Sequence, residues 1–262
     1  MVKRPPLHSR ARNRSAPAGR SRPPPRPAEN RLLAALPPAD RARLLPALSV
    51  IPLTLKTLLH KPGDSIRYVY FPGGGFLSLV TVLASGRMVE AATVGCEGMV
   101  GLAAAVEGLA VSSATMVQGE SDTCYRMTAA AYRREMERRG AFYVLLSVYS
   151  QAVVAASMQS TACNAVHSVE QRLARWLLMA HDRMARDEFP LTQEFAAMML
   201  GTSRQTVTIV AGTLQAAGLI TYRRGTVTVL DRESLESASC ECYALVTALF
   251  EAAIVDGSRR SS

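Results

Sequence analysis

Residues 191–220 constrain the fold of this chain most strongly. Their sequence, LTQEFAAMMLGTSRQTVTIVAGTLQAAGLI, contains two apolar helical runs separated by one glycine. Ala197 is small at the point where the two helices would cross, and Gly201, four residues later, supplies the positive φ that the turn requires. Ser203 is a suitable N-cap for the second helix, and Gly218 ends it. The pattern predicts a helix-turn-helix.

The second helix of this motif has polar side chains opposite its apolar stripe. Rotation by about 100° per residue from Val207 places Gln205 and Thr208 on that face. Side chains near the start of such a helix reach base edges in the DNA major groove. Arg204 can bond guanine or a phosphate, and Gln205 can bond adenine. The predicted DNA-contacting residues here are Ser203, Arg204, Gln205, Thr206, Thr208 and Ile209.

A basic hairpin follows the helix pair. The segment LITYRRGTVTVLD is typical of two short strands around a turn at Arg223, Arg224 and Gly225. In a winged helix such a hairpin lies on the DNA backbone, where arginines hold phosphates. We therefore add Arg223 and Arg224 to the predicted DNA contacts. Alanine-rich helix pairs also occur in protein cores, so the alternative is a ligand-binding or interaction module in which the pair is only structural.

The first half of the chain has the pattern of β-strands. From Val50 to Met127, apolar segments alternate with turn signals such as KPGD, the triple glycine at 73–75 and ASGR. Many short strands at this spacing predict a small antiparallel barrel or a jelly-roll-like β-roll. Two short helices around Pro37 and Pro38 precede it, and helical patterns return after it. The predicted fold class is α+β.

A long apolar helix is predicted from Ala141 to Val166. One stripe repeats at the alternating spacing of three and four residues that is typical of a coiled-coil seam. A second stripe, beginning at Phe142, can pack on the roll. Both apolar stripes must be buried against another surface, and one chain offers a single roll. We therefore expect a homodimer, with packing inside one chain as the alternative. The predicted dimer interface consists of Leu145, Val148, Ala152, Ala155, Gln159 and Ala162. Polar residues such as Ser147 and Gln151 argue against a membrane span.

The net charge of +9 is concentrated in the first 29 residues, which carry +7 of it. This tail is rich in proline and arginine, so it cannot bury enough apolar surface to offset the entropy of ordering. We expect it to be disordered; a basic arm that holds DNA nonspecifically is an alternative. It lacks the apolar region of a secretory signal. The five irregularly spaced cysteines fit a reducing compartment. The missing signal and the cysteine pattern together predict a cytoplasmic protein.

The order of these elements resembles that of the Crp/Fnr superfamily of bacterial transcription regulators. The segments that carry the resemblance are KPGD and VYFP in the roll, HSVEQRLARWLL, LTQEFAAMMLGTSRQTV and GLITYRRGTVTVLDRESLE. It implies a cyclic-nucleotide-binding-like β-roll at 30–140, a dimerisation helix at 141–167 and a winged helix-turn-helix at 168–250. The basic tail at 1–29 would precede these domains, and a flexible C-terminus at 251–262 would follow. The resemblance also implies double-stranded DNA, a second copy of the chain and RNA polymerase as partners, and no enzymatic activity.

The segment that corresponds to the cyclic-nucleotide cassette is altered. In cyclic-nucleotide binders of the superfamily, a glycine-glutamate pair opens the cassette, and an arginine before a serine or threonine pairs the phosphate. Here Met99 follows Gly98, and Ser112 stands before Ser113 where the arginine is expected. A buried phosphate without a guanidinium partner is poorly compensated, so we expect a signal other than a cyclic nucleotide and leave the effector unknown. A cyclic-nucleotide-responsive regulator with an altered cassette is the alternative.

Other reactive residues give weaker signals. Cys163 and His167 share a helix face, and with the pair Cys240 and Cys242 they could form a tetrahedral zinc site, but buried cysteines more often act as small apolar residues. His60 is a conceivable haem ligand, although a surface histidine beside a turn is the preferred interpretation. The chain has no Ser/His/Asp grouping, G-x-S-x-G elbow or P-loop. We therefore predict no metal, no cofactor and no catalytic site.

Overall fold

The computed structural model describes residues 29–261, and the predicted disordered tail lies outside them apart from Glu29. The helices are α1 (Arg31–Ala34), α2 (Pro38–Leu44), α3 (Ala129–Glu137), α4 (Ala141–Val166), α5 (Val169–Met184), α6 (Gln193–Leu200), α7 (Arg204–Ala216), α8 (Arg232–Ala238) and α9 (Cys242–Ser261). The strands are β1 (Leu48–Leu53), β2 (Leu58–His60), β3 (Tyr68–Pro72), β4 (Phe76–Val82), β5 (Met88–Val94), β6 (Ala114–Gly119), β7 (Ser121–Thr128), β8 (Glu188–Pro190), β9 (Ile220–Arg223) and β10 (Thr226–Val229).

The strands β1 to β7 form a roll of two antiparallel sheets, with strand orders β1-β7-β3 and β2-β6-β4-β5. Because successive side chains of a strand point to opposite faces, β3 is buried on both sides. Tyr70 packs with Leu77 and Val117 inside the roll, whereas Val69 and Phe71 pack toward the helices. The α+β class and the roll are confirmed. The sequence did not indicate β2, because three residues are too few to show an alternation.

The long helix α4 packs one face on the roll. Phe142, Leu146 and Tyr149 are buried in the same core as Phe71, whose ring lies 6.4 Å from that of Phe142. The Tyr149 hydroxyl donates to the Met99 carbonyl and accepts the Met99 N–H, both at 3.0 Å. These two bonds tie the altered cassette segment directly to α4.

The C-terminal helix α9 runs antiparallel along α4 and covers a second face of it. The ring of Phe250 lies 5.9 Å from that of Tyr149, and further along α9 Gly257 contacts Leu145. A Cβ at Gly257 would fall 2.5 Å from Leu145 Cδ1, so a glycine is needed for this approach. Residues 251–261 therefore continue a packed helix, which corrects the prediction of a flexible C-terminus.

This helix also covers part of the seam predicted for a dimer. Two of the six predicted interface residues, Leu145 and Ala152, are buried within the chain, and the other four range from half-buried to the exposed Ala162. Packing inside one chain thus accounts for part of the heptad pattern, because an apolar stripe does not reveal which helix covers it. The exposed stripe of α4 consists of Gln151, Val154, Met158, Thr161 and Ala165.

The C-terminal half packs on the roll through α5. The Trp176 ring lies 5.9 Å from that of Phe76 in β4, and its indole N–H donates to Glu90 Oε1 of β5 at 3.0 Å. The strands β8, β10 and β9 form a small antiparallel sheet beside α6 and α7. Helices α5 to α8 and this sheet make up a winged helix-turn-helix domain.

Within the described part of the chain, α4 is long and apolar enough to cross a membrane, and α8 with α9 would qualify only as one span bent by 105°. The core helix of a soluble protein has the same properties. Because α4 lies between the roll and α9, it has such core packing here, and the absence of a membrane span stays a prediction.

Candidate nucleic-acid interface and roll cavity

The helix pair α6 and α7 turns at Gly201, whose φ of +61° lies in the left-handed region, as predicted. Ser203 caps α7, because its Oγ accepts the Thr206 N–H at 3.1 Å. Ala197 and Val207 are buried in the core that joins the two helices. The turn and the cap together fix the direction in which α7 begins.

The first turns of α7 present most of the predicted contact residues to solvent. Arg204, Gln205 and Thr208 are exposed, and Thr206 is half-buried. Ile209 keeps 62% of its surface exposed although it is apolar. A face that combines a guanidinium, an amide and an exposed apolar side chain matches the groups that DNA bases present in the major groove.

The wing is a hairpin with a two-residue turn. Arg223 of β9 pairs with Thr226 of β10, and between them Arg224 and Gly225 have φ values of +49° and +77°. Two successive positive φ values are the requirement of a type I′ turn. Arg223 and Arg224 are both exposed, and Arg224 lines the same surface cleft as Arg204. The structure therefore brings one wing arginine beside the start of α7.

An acidic residue that the sequence did not single out lies on this surface. Glu194, in the first turn of α6, has its Oε1 2.9 Å from Nη1 of Arg204. Next to it, Gln193 Oε1 accepts a hydrogen bond from the Thr208 hydroxyl at 2.8 Å. The turn at Gly201 folds the start of α6 beside the start of α7, and the helical spacing alone does not reveal this contact.

A cavity of about 380 Å³ lies in the roll against α4. Its lining is mainly aliphatic and includes Leu79, Met99 and Val153. Ser112 and Ser113, where the resemblance implies a phosphate partner, also line it. No lysine, arginine, aspartate or glutamate occurs among the described residues that line it. A cavity of this chemistry suits an uncharged, largely apolar molecule.

His60 belongs to the wall of this cavity, which corrects its interpretation as a surface histidine. Only 6% of it is exposed, since β2 pairs with β6 and turns the ring inward. Its Nε2 donates to the Tyr68 carbonyl at 2.9 Å, and its Nδ1 accepts from the Thr115 hydroxyl at 3.1 Å. Burial lowers the pKa of the ring, so the neutral form is favoured. Both nitrogens are engaged, so neither is free to bind a haem iron.

The segment around Gly98 contacts both α4 and α5. A Cβ at Gly98 would lie 2.2 Å from the Tyr149 hydroxyl, so only glycine permits the approach to α4. The neighbouring Glu97 pairs with Arg183 in the last turn of α5, with 2.6 Å between Oε1 and Nη2. Sequence reasoning missed Glu97 because its partner is 86 residues away. A buried ion pair thus links the altered cassette segment to the winged domain.

The cysteine and histidine residues noted in the sequence also come together. The ligand atoms of Cys163, His167, Cys240 and Cys242 all lie within 4.8 Å of one another. Two of these residues are at the end of α4, and the other two are at the junction between α8 and α9. The cluster therefore joins the long helix to the C-terminal helix.

A β-roll with a cavity, a long helix and a winged helix-turn-helix occur here in one chain. This combination is the fold of solved regulators that join a β-roll to a winged helix-turn-helix domain. Residues 171–238 match the Crp-like helix-turn-helix domain family. This match identifies the C-terminal segment as a Crp-like helix-turn-helix domain, and the fold of the whole chain is similar to that of solved Crp/Fnr-family regulators.

Three solved structures illustrate the similarity of fold. A proposed transcriptional regulator of the crp/fnr family from Eubacterium rectale is 20% identical, with a TM-score of 0.58 over 79% of this chain and 96% of that chain. A CRP-family regulator from Thermus thermophilus is 22% identical, with a TM-score of 0.59 over 72% and 95%. The c-di-GMP-responsive global regulator CLP from Xanthomonas campestris is 18% identical, with a TM-score of 0.58 over 72% and 96%. No curated protein sequence matches this chain significantly.

Proposed function

We propose that this chain is a homodimeric, sequence-specific DNA-binding transcription regulator that responds to a signal other than a cyclic nucleotide. The observation that carries the proposal is the exposed start of α7 beside the wing, where Arg204 and Arg224 line one cleft. This surface lies within the segment that matches the Crp-like helix-turn-helix family. A helix pair with a purely structural role has less support, because core packing would bury these positions.

In this proposal the first turns of α7 enter the major groove and the wing lies on the adjacent backbone. Arg204 and Gln205 bond base edges, and Ile209 contacts the methyl group of a thymine. Arg223 and Arg224 hold phosphates. We therefore expect α7 to determine the base preference and the wing to add affinity that is independent of DNA sequence.

Two arginine substitutions test these separate roles of α7 and the wing in DNA binding. Fluorescence anisotropy at several salt concentrations compares a selected binding site with a random duplex. We expect Arg204→Ala to cost about 1–3 kcal/mol on the selected site and little on random DNA. Arg223→Ala should weaken both complexes alike and reduce the salt slope by about 1. The control is Arg87→Ala, at an exposed position in the turn between β4 and β5. Equal losses on both DNAs for both variants would contradict the assignment.

The dimer is proposed to form through the exposed stripe of α4. Val154 and Met158 keep 49% and 68% of their surface exposed, and they continue the spacing of three and four residues beside the stripe that α9 covers. Met158→Glu is expected to convert dimers to monomers, because a charge would be buried at the seam. Val82→Glu is the control, at a 43% exposed apolar residue of the roll. Sedimentation equilibrium that shows an unchanged dimer with Met158→Glu would exclude this stripe.

The signal is proposed to bind in the roll cavity. Since the described lining carries no permanent charge, a cyclic nucleotide would lose the solvation of its phosphate without a compensating cation. We do not extend the c-di-GMP response of CLP to this chain. The phosphates of c-di-GMP would also lack a compensating cation in this cavity. Calorimetry with cyclic AMP and cyclic GMP is expected to show no binding. Saturable binding of either would favour the altered-cassette alternative.

The route from the cavity to DNA is proposed to begin at the cassette segment. Met99 lines the cavity, and its backbone is hydrogen-bonded to the Tyr149 hydroxyl of α4. Glu97 forms an ion pair with Arg183 of α5. A ligand that moves this segment would change how α4 and α5 pack. That change would move the two recognition helices toward or away from the spacing of one DNA turn, about 34 Å. RNA polymerase is the expected protein partner.

A further inference from the structure

We infer that Cys163, His167, Cys240 and Cys242 form a tetrahedral site for a divalent metal ion of the Zn²⁺ type. Cys163 lies in the last turn of α4, and His167 caps its C-terminus. Cys240 and Cys242 flank the start of α9, about 77 residues further along the chain. Three sulfurs and one imidazole from two helix ends are the ligand set of a structural zinc site.

Two of the distances between the ligand atoms are close to those around such an ion. Zinc–sulfur bonds of about 2.3 Å and zinc–nitrogen bonds of about 2.0–2.1 Å, arranged tetrahedrally, separate two sulfurs by about 3.8 Å and a sulfur from a nitrogen by about 3.5 Å. The Sγ atoms of Cys163 and Cys240 are 3.5 Å apart, and Cys242 Sγ is 3.6 Å from His167 Nδ1. All four ligand atoms fall within 4.8 Å of one another.

The surroundings orient the ligands as metal sites usually do. His167 turns Nδ1 toward the sulfurs, while its Nε2 lies 3.1 Å from Glu241 Oε2. Metal-ligating histidines commonly donate their second ring N–H to a carboxylate in this way. In addition, the Gln159 side-chain amide donates to Cys242 Sγ at 3.0 Å. Such a bond to sulfur stabilises a thiolate.

The charge around the cluster also favours an anionic metal site. Three thiolates and one Zn²⁺ ion carry a net charge of −1, and the thiol protons leave to solvent on binding. Arg172 and Arg175 are buried and close enough to interact electrostatically with the Cys163 sulfur. Neither forms an ion pair within the described residues, and the Nε atoms of both lack a hydrogen-bond partner there. A buried cation needs compensation. Glu90 supplies part of it for Arg175, and an anionic metal site would supply more.

The position of the site gives it a structural role. The ion joins the last turn of α4, which leads into α5, to the start of α9, which returns along α4. Removal of the ion would release the start of α9 and loosen the connection between the long helix and the winged domain. This inference does not depend on DNA binding, and its test is independent of it.

Metal titration of the full chain, prepared with reductant, tests the site. With Co²⁺ we expect the intense visible bands of tetrahedral coordination, together with thiolate-to-metal absorption. With Zn²⁺, competition against a chromophoric chelator is expected to show one bound ion per chain. Glu241→Gln, at an exposed residue that should not impair folding, is expected to weaken Zn²⁺ binding about 10–100-fold. Cys242→Ser should weaken it further, whereas Cys96→Ser, which removes a cysteine outside the cluster, should not change it.

Several results would overturn the inference. One such result is a Co²⁺ spectrum of the wild-type chain with the weak bands of octahedral coordination. Another is bound Zn²⁺ substantially below one ion per chain in the presence of excess metal. Equal Zn²⁺ affinity for wild type, Cys242→Ser and Glu241→Gln would exclude Cys242 as a ligand and Glu241 as the carboxylate that orients His167. A disulfide between Cys163 and Cys240 that persists in reductant would assign the cluster to a covalent crosslink instead.

Discussion

Two carboxylate–arginine pairs in this molecule have similar geometry and different surroundings. Glu97 and Arg183 join the cassette segment to α5 at 2.6 Å, with only 11% and 8% of their side chains exposed. Glu194 and Arg204 join α6 to α7 at 2.9 Å, with 59% and 66% exposed. The first pair is shielded from water and holds two halves of the molecule together. The second is solvated, so a phosphate or a base can replace the carboxylate.

The difference shows how one kind of contact can serve both rigidity and recognition. A buried pair is costly to break because the remaining charge stays unpaired in a low-dielectric environment. An exposed pair contributes little to stability, because water solvates both groups when it opens. The exposed Arg204 can therefore exchange partners, whereas Arg183 at the domain contact cannot.

The largest effect is expected when the buried pair is broken. Glu97→Gln leaves Arg183 without its closest counter-charge and should lower the free energy of unfolding by about 3–5 kcal/mol, measured by denaturant unfolding. The matched control is Glu107→Gln, which breaks the Arg133–Glu107 surface pair, where the glutamate side chain is 82% exposed. That control should cost at most about 1 kcal/mol. Similar losses for the two variants would remove the distinction between buried and exposed pairs.

A second carboxylate at the same domain contact makes stability depend on pH. Glu90 accepts hydrogen bonds from Ser78 at 2.5 Å and from Trp176 at 3.0 Å. Desolvation raises its pKa from 4.5 to about 7, although the hydrogen bond from Ser78 and the nearby Arg175 act against this. The folded chain thus binds more protons, and the contribution of Glu90 to stability falls as the pH rises through this interval.

Glu90→Gln is therefore expected to remove that pH dependence. At pH 8 its Tm should exceed that of the wild type by about 6–12 °C, because the rise in pKa from 4.5 to about 7 corresponds to about 3 kcal/mol, and at pH 4 the two should agree. The glutamine can still accept from Trp176 and bond Ser78. A Tm difference that does not change with pH would show that Glu90 is not the titrating group.

The smallest effect on stability is expected at the exposed pair. Glu194→Gln should change the free energy of unfolding by less than about 1 kcal/mol. It should nevertheless strengthen DNA binding up to about fivefold, because it frees Arg204 and removes a negative charge that faces phosphate. Glu107→Gln removes the same charge from the roll, and anisotropy should show no comparable gain. Weaker DNA binding by Glu194→Gln would mean that this carboxylate positions Arg204 for contact with DNA.

The sequence allowed the locally encoded parts of the interface to be predicted. The left-handed turn at Gly201 and the cap at Ser203 depend on residues close in sequence. The same holds for the Arg224–Gly225 turn of the wing, whose two positive φ values favour a glycine. Such signals are readable because the structure they specify lies within a few residues.

Contacts between distant segments were harder to predict. The heptad stripe of α4 indicated burial, which holds within the chain for Leu145 and Ala152, but it carried no information on whether α9 or a second chain covers Leu145. Likewise, His60 was misassigned because its burial arises from the pairing of β2 with β6, about 55 residues apart. The contact between Glu97 and Arg183 depends on how the roll and α5 dock. In each case the partner is fixed by tertiary packing, which leaves no local pattern.

Selection of binding sites from random DNA duplexes with the full chain tests the central claim most directly. The account predicts enrichment of a two-fold symmetric sequence whose half-sites are about 10 base pairs apart, since two copies of α7 must enter successive major grooves. Arg204→Ala should broaden the preference within each half-site. No enrichment over the starting pool, or a single asymmetric site, would contradict a dimeric, sequence-specific DNA-binding regulator.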